Sequence, residues 1–174
     1  MRYVIIETKF GFFGILAHKG TILRTSLPVS TRKLAEDHLL EGLEGAIFDA
    51  NLLPNLQKQI KSYFVGTYVE FDNNIPLQLD TLSKFSQDML KACLKITYGQ
   101  IVSYGELAKI ANHPKAARAV GNAMGNNPIP LIIPCHRIIK SNGTIGGFQR
   151  NRQGGVDLKK KMLELERSFT LLSC

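Results

Sequence analysis

An N-terminal α/β unit with a small antiparallel sheet, followed by a mainly helical C-terminal unit, is the fold class the sequence predicts. Three observations predict it. The first thirty residues read as a β-meander, much of the remainder carries apolar residues at helical spacing, and the charge changes sign halfway along the chain.

Strands are predicted over residues 3–7, 12–18 and 21–27, with Gly11 and the Lys19-Gly20 pair as turn signals. Helices are predicted over 31–43, from Leu34, Leu39, Leu40 and Leu43, and over 54–64, from Leu56, Ile60 and Phe64. Residues 69–79, with Asp72-Asn73-Asn74 and Pro76, lack helical periodicity and read as a connection, so the boundary is placed near Asp80, between domains 1–80 and 81–174. The second half opens with a predicted helix over 82–96, stopped at Tyr98-Gly99. Ser103 then caps a helix over 104–111, with Glu106 completing a capping box. A turn through Asn112-His113-Pro114 leads to a second helix over 115–124, ended by Gly125 and Asn126-Asn127-Pro128. Two short helices joined in this way form a helix-turn-helix candidate. Ala116, Ala117, Ala119, Gly121 and Ala123 make the second helix slim, with Arg118 its one long charged side chain in the middle. Such a helix suits tight packing against another helix and close approach to DNA equally.

The 174 residues suffice for one ordinary domain or two small ones without disulfides or metal. Pro130 and Pro134 interrupt the longest apolar runs, and the apolar stretch after Met1 is too short for a secretory signal, so a soluble intracellular protein with no membrane partner is expected. Cys93, Cys135 and Cys174 are an odd, scattered set, which argues for a reducing compartment and against a disulfide framework. Residues 1–80 hold 8 Lys/Arg against 9 Asp/Glu, a net charge of −1, and residues 81–174 hold 14 against 5, a net charge of +9. The basic half suits a polyanion, or is simply a solvated surface. Residues 1–80 have no Cys and only His18 and His38, so neither a metal site nor a cofactor is expected.

Chemistry concentrates at Ile133-Pro134-Cys135-His136-Arg137. A cysteine beside a histidine and an arginine lies in a positive setting that favours the thiolate, the nucleophilic form. Pro128, Pro130 and Pro134 predict a stiff, extended approach to that sulfur. By residue type alone an inert buried thiol remains open.

Those five residues, together with Asn127-Pro128 and with Lys115-Ala116-Ala117-Arg118-Ala119-Val120-Gly121, resemble the O6-alkylguanine-DNA alkyltransferases, also called methylated-DNA-protein-cysteine methyltransferases, over roughly residues 80–166. The resemblance implies a ribonuclease-H-like N-terminal domain and a winged helix-turn-helix-like C-terminal domain. It implies a monomer that acts once, irreversibly, on double-stranded DNA in the cytoplasm or nucleus, taking an alkyl group from O6 of guanine, with O4 of thymine as an alternative. Cys135 matches the acceptor. His136 matches the base that takes its proton through a water, and Glu166 the carboxylate that supports the imidazolium, although either Glu164 or Glu166 could be a surface acid. Tyr104 matches the donor to the departing guanine, or packs in the core. Asn127 matches a brace for the site, or ordinary turn chemistry before proline. Arg118 matches the side chain that fills the space of an extruded base, on a helix slim enough for the minor groove through Ala117, Ala119 and Gly121. Lys115 and Ser103 join it at the DNA, where phosphate contacts would make binding strongly salt-dependent. Pro130, Ile138, Gly146, Gly147 and Phe148, with Tyr104, match the pocket wall. The 149–153 connection, with Arg150 and Arg152, is longer than in compact members.

Rival readings meet specific objections. A lesion-binding relative that transfers nothing would lack the cysteine that is present at 135. A sequence-specific regulator needs side chains for reading base edges, which the slim second helix does not offer. A cysteine hydrolase needs an oxyanion hole, for which the sequence has no signal.

Overall fold

The structure, a computed structural model, describes residues 1–71, 74–148 and 154–172, with side chains through residue 168. The chain divides into two compact units, Met1–Gln78 with Pro128–Pro130, and Leu79–Asn127 with Leu131–Cys174.

In the first unit, β1 (Arg2–Thr8), β2 (Gly11–His18) and β3 (Thr21–Val29) form the expected meander, with Val4 opposite Ile15 and Leu16 opposite Arg24. A further strand, β4 (Ile47–Phe48), pairs parallel to β1, so the sheet is mixed, in the order β3-β2-β1-β4, and not purely antiparallel. Two exposed residues carry no alternation by which the sequence could reveal a strand.

Helix α1 (Arg32–Leu40) is capped by Thr31, whose hydroxyl accepts from the Leu34 amide, and it ends three residues before the predicted stop. Its Ala35 and Leu39 pack with Ile5 and Leu16 of the sheet. Gly14 permits this approach, because a Cβ there would lie 2.5 Å from Ser26 Oγ and 3.0 Å from Leu39 Cδ2. Helix α2 (Pro54–Phe64) buries Leu56, Ile60, Tyr63 and Phe64, one stripe at helical spacing, and Phe64 meets Phe13 with ring centroids 6.1 Å apart. Each such side chain contributes roughly 1.5–3 kcal/mol on leaving water. The Pro128–Pro130 segment belongs to this unit through Thr25 of β3, whose amide donates to the Pro128 carbonyl at 3.0 Å and whose hydroxyl donates to the Pro130 carbonyl at 2.8 Å. Two of the three prolines before Cys135 are therefore tied down by hydrogen bonds to the sheet as well as stiffened by their rings.

The second unit contains α3 (Lys84–Cys93), α4 (Tyr104–Ile110), α5 (Ala117–Gly125) and α6 (Gly155–Leu172). A pair of two-residue strands, β5 (Val102–Ser103) and β6 (Ile138–Ile139), runs parallel. Ser83 caps α3, its hydroxyl accepting from the Ser86 amide, so the helix starts at Lys84, two residues after the predicted Leu82. The Ser103–Glu106 capping box is formed in both directions. Asn112 turns the chain with φ +62°, and the Ala116 amide donates to the His113 carbonyl. That turn uses up residues 113–116, so Lys115 precedes α5 instead of lying in it. The approach to Cys135 is also less extended than expected. Leu131 has φ +77°, and Cys135–Arg137 form a single 3₁₀ turn. Among the described residues no helix is long and apolar enough to cross a membrane.

Candidate active site

The turn at Cys135 sets the geometry of the site. Asn127, at the end of α5, donates through Nδ2 to the Ile133 carbonyl at 2.9 Å and to Cys135 Sγ at 3.1 Å. The same amide thus fixes the loop and solvates the sulfur. Cys135 is only 4% exposed. Burial raises its pKa above the usual thiol value, against the Asn127 hydrogen bond, the Lys159 charge, and the amides of Cys135 and His136 aimed at the sulfur. The resting group is therefore a thiol, not the thiolate expected from its sequence neighbours.

Burial is the cause, and Arg137 does not offset it, because its charge is engaged elsewhere. Its Nε and Nη2 reach both oxygens of Glu166 at 2.9–3.2 Å, and Nη1 donates to the Ile96 carbonyl at 2.7 Å. Glu166 also accepts from the Gly99 amide at 2.9 Å and meets His136 Nε2 at 2.7 Å. Burial pushes the Glu166 carboxyl up, but the His136 and Arg137 hydrogen bonds and charges outweigh it and hold the pKa at about 2. A carboxylate at neutral pH can only accept, so His136 Nε2 carries a proton. Burial lowers the His136 pKa despite Glu166, which makes the ring neutral and leaves Nδ1 as its basic atom. Glu164 is exposed on the other side of α6, so only Glu166 enters the site.

Cys135 opens into a cavity of about 840 Å³ whose wall includes Tyr104, Gly147 and Phe148, and, from α5, Ala117, Arg118 and Gly121. Tyr104 is partly buried, and desolvation, then the Cys135 charge, raise its pKa. Arg118, Lys115, Ala117 and Ala119 are exposed, whereas Gly121 is half-buried. The Ser103 hydroxyl accepts from Glu106 as the α4 cap.

Three expected wall residues do not line this cavity. Pro130 belongs to the first unit, and Ile138 is fully buried in β6 with its side chain in the core. Gly146 lies against Tyr104, where at φ +74° a Cβ would be 3.0 Å from Tyr104 Oη and 3.2 Å from its Cε2. Gly146→Ala is expected to displace the Tyr104 ring, and if that ring serves the site as the resemblance implies, to slow reaction at the cavity about tenfold or more. Unchanged single-turnover rates would remove that coupling.

Sequence reasoning missed Asn122, Asn126, Lys140, Ser141 and Asn142, which also border the cavity, and the central place of Arg137. It also missed Lys159, fully buried on α6. A signal for Lys159 existed, since Gly155, Lys159, Met162 and Glu166 are spaced i, i+4, i+7, i+11, and an inward Glu166 turns Lys159 inward too. Residues 149–153 lie outside the described residues, as do Asp72, Asn73 and Cys174. No group of three or more potential metal ligands occurs among the described residues.

A thiol opening on a cavity bordered by a slim, arginine-bearing helix, followed in the chain by a buried neutral imidazole held on an ionised carboxylate, defines a candidate nucleophilic cysteine. Comparison with known proteins narrows the class. Residues 84–168 match the family model for the DNA-binding domain of 6-O-methylguanine DNA methyltransferase. A methylated-DNA-protein-cysteine methyltransferase of Mycobacterium bovis is 44% identical over 168 residues, spanning 97% of this chain and 93% of its own length. Crystal structures of the Mycobacterium tuberculosis proteins superpose closely. OGT in complex with DNA gives a TM-score of 0.80 at 33% identity, over 97% of this chain and 94% of that one. The O6-methylguanine methyltransferase gives 0.78 at 34%, over 98% of each. The chain belongs to the methylated-DNA-protein-cysteine methyltransferase family.

Proposed function

We propose that this protein repairs O6-alkylguanine in double-stranded DNA by direct reversal, moving the alkyl group to its own Cys135. The observation that carries the reading is Cys135 in the cavity wall, with the adjacent His136 hydrogen-bonded at 2.7 Å to an ionised Glu166. His136 Nδ1 takes the thiol proton through a water, and Glu166 offsets the charge that the ring acquires. The sulfur attacks the alkyl carbon in line. A C–S bond forms, the bond from carbon to O6 breaks, and its electron pair stays on guanine. Tyr104, across the same cavity, supplies a hydrogen bond or proton to that anion. The product is a thioether, which no group in the site reverses, so each molecule acts once.

A base stacked in a duplex cannot enter a cavity, so the nucleotide must turn out. Arg118 at the mouth occupies the vacated place. The exposed small surface of Ala117 and Ala119, with Gly121 beside it, lets α5 lie in the minor groove, and Lys115 and Ser103 meet phosphates. In this reading α3 to α5 with β5 and β6 act as a winged helix-turn-helix, residues 1–80 form a ribonuclease-H-like scaffold, and residues 81–174 bind and react. A monomer working in the compartment that holds the DNA, cytoplasm or nucleus, follows, and O4 of thymine is a second target. Gly147 and Phe148 close over the base.

Duplex DNA with one O6-methylguanine, mixed with limiting protein, is expected to yield one repaired guanine per protein molecule and then stop. Continued turnover would overturn the single-use mechanism. Arg118→Ala is expected to slow repair of duplex DNA about 100-fold while changing attack on free O6-benzylguanine less than threefold, the separation expected if the side chain serves base extrusion and not chemistry. Equal slowing on both substrates would take Arg118 out of the flipping step.

A further inference from the structure

His113, in the turn between α4 and α5, is a titratable side chain that the proposed mechanism leaves unused. Its backbone is fixed on both sides. The His113 amide donates to the Ala108 carbonyl at 2.8 Å, its carbonyl accepts from the Ala116 amide at 3.0 Å, and Pro114 after it disfavours helical backbone. The ring leaves the turn and lies on α3. It meets Phe85 edge-on, with ring centroids 5.1 Å apart and planes at 75°, and its Nε2 stands 3.6 Å from Asp88 Oδ2. Phe85 and Asp88 are i, i+3 on α3, so one face of that helix receives the imidazole. Asp88 also accepts from Lys84 at 2.6 Å, and the Lys84 hydrogen bond, with smaller help from His113, holds its carboxyl below the usual value.

Helix α5 depends on that turn. It has 9 residues, its N-cap Ala116 offers no side-chain hydrogen bond, and Gly121 lies inside it. A helix so short is marginal alone, and an uncapped first turn frays. Arg118 lies in that first turn. The His113 carbonyl and, through the ring, α3 therefore help to hold the start of α5. The charged residues on the elements around the ring are Lys84, Asp88 and Lys91 of α3, Glu106 and Lys109 of α4, Lys115 of the turn and Arg118 of α5. Glu106 is taken up in the Ser103 cap, which leaves Asp88 as the carboxylate for the imidazole. An imidazole gains its charge between about pH 8 and about pH 6, and only then do the two side chains form an ion pair.

We propose that His113 is a positioning residue for DNA binding, its protonated ring pairing with Asp88 to fix the turn that launches α5, so that the hold of α5 on duplex DNA tightens as pH falls from about 8 to about 6. The inference rests on the reading that α5 enters the minor groove. His113 itself touches neither the lesion nor the reacting sulfur in this role.

Fluorescence-anisotropy titration of an undamaged duplex at constant salt provides the test. Wild-type affinity is expected to rise about threefold from about pH 8 to about pH 6, and Asp88→Asn is expected to remove most of that rise. Asp88→Asn also takes a negative charge from a basic unit, which by electrostatics alone would strengthen DNA binding. The clamp predicts weaker binding than wild type at the lower pH, the opposite sign. Asp88→Glu, which keeps the charge, should restore the wild-type profile, and Lys84→Met, which removes the competing pair, should retain it. An Asp88→Asn protein that binds as tightly as wild type at the lower pH would overturn the proposal. So would a pH response that survives in this variant, the result expected if a protonated His113 meets a phosphate directly. Hydrogen exchange at the Ala116 amide, followed by NMR without DNA, is independent of the repair reading. Its protection at about pH 6 is expected to fall about threefold in Asp88→Asn, and unchanged protection would refute the clamp. Loss of protection in a protein whose wild type binds no duplex would reject the DNA reading and leave the His113–Asp88 clamp standing.

Discussion

Cys135→Ser is expected to abolish repair while leaving lesion binding within about threefold of wild type. The serine hydroxyl is nearly isosteric with the thiol and can keep the Asn127 hydrogen bond now made at 3.1 Å. It does not reach the anionic form near neutral pH, and its oxygen is a far weaker nucleophile towards saturated carbon, so a loss of about 1000-fold or more follows. Gel-shift titration with O6-methylguanine duplex measures binding, and single-turnover repair measures chemistry. Residual transfer above that limit would place the acceptor elsewhere.

Glu166→Gln is expected to damage both stability and rate. Glu166 is 1% exposed, pairs with the Arg137 guanidinium and hydrogen-bonds His136. Leaving that guanidinium buried without its partner costs about 3–5 kcal/mol. In the proposed mechanism the imidazolium at His136 loses its counter-charge, and repair should slow about 100-fold or more. The pH dependence of unfolding provides a separate check. Glu166 has a folded pKa of about 2 against an ordinary 4.5, so its stabilisation is present above pH 4.5 and disappears as pH falls towards 2. The shift corresponds to about 3 kcal/mol. His136, its pKa also lowered in the fold, acts in the same sense from pH 6.5 downwards, because the unfolded chain takes up the proton first. Urea denaturation at stepped pH should show wild-type stability declining below pH 6.5 and falling further between 4.5 and 2, with the lower decline missing in Glu166→Gln. Parallel profiles would mean that the Glu166 carboxylate is not held in the ionised form.

Much of this arrangement was legible in the chain because local chemistry decided it. The Ser103–Glu106 box, the stripe of Leu56, Ile60 and Phe64, and the turn glycine at Gly11 each act within a few residues, and all appear in the structure. The juxtaposition of Cys135 and His136 was visible in sequence, but the sulfur's charge state was not. That state depends on burial and on Arg137 turning towards Glu166, 29 residues away. β4 was hidden for a similar reason, since two exposed residues become a strand only through the edge of β1. The resemblance puts Pro130 and Ile138 in the pocket wall, whereas in the structure the Pro130 carbonyl accepts from Thr25 and Ile138 is fully buried, contacts that no local pattern in the sequence reveals. Lys159 was overlooked because a lysine run on a basic chain reads as surface, although the register set by Glu166 turns one member inward.

The central claim is that Cys135 receives the alkyl group. The direct measurement is mass spectrometry of intact protein and its peptides after reaction with duplex DNA carrying one O6-methylguanine labelled in the methyl group. The account predicts one labelled methyl per protein molecule, confined to the peptide that contains Cys135, with unmodified guanine restored in the DNA. Label on the Cys93 or Cys174 peptide, or repaired DNA with unlabelled protein, would contradict it.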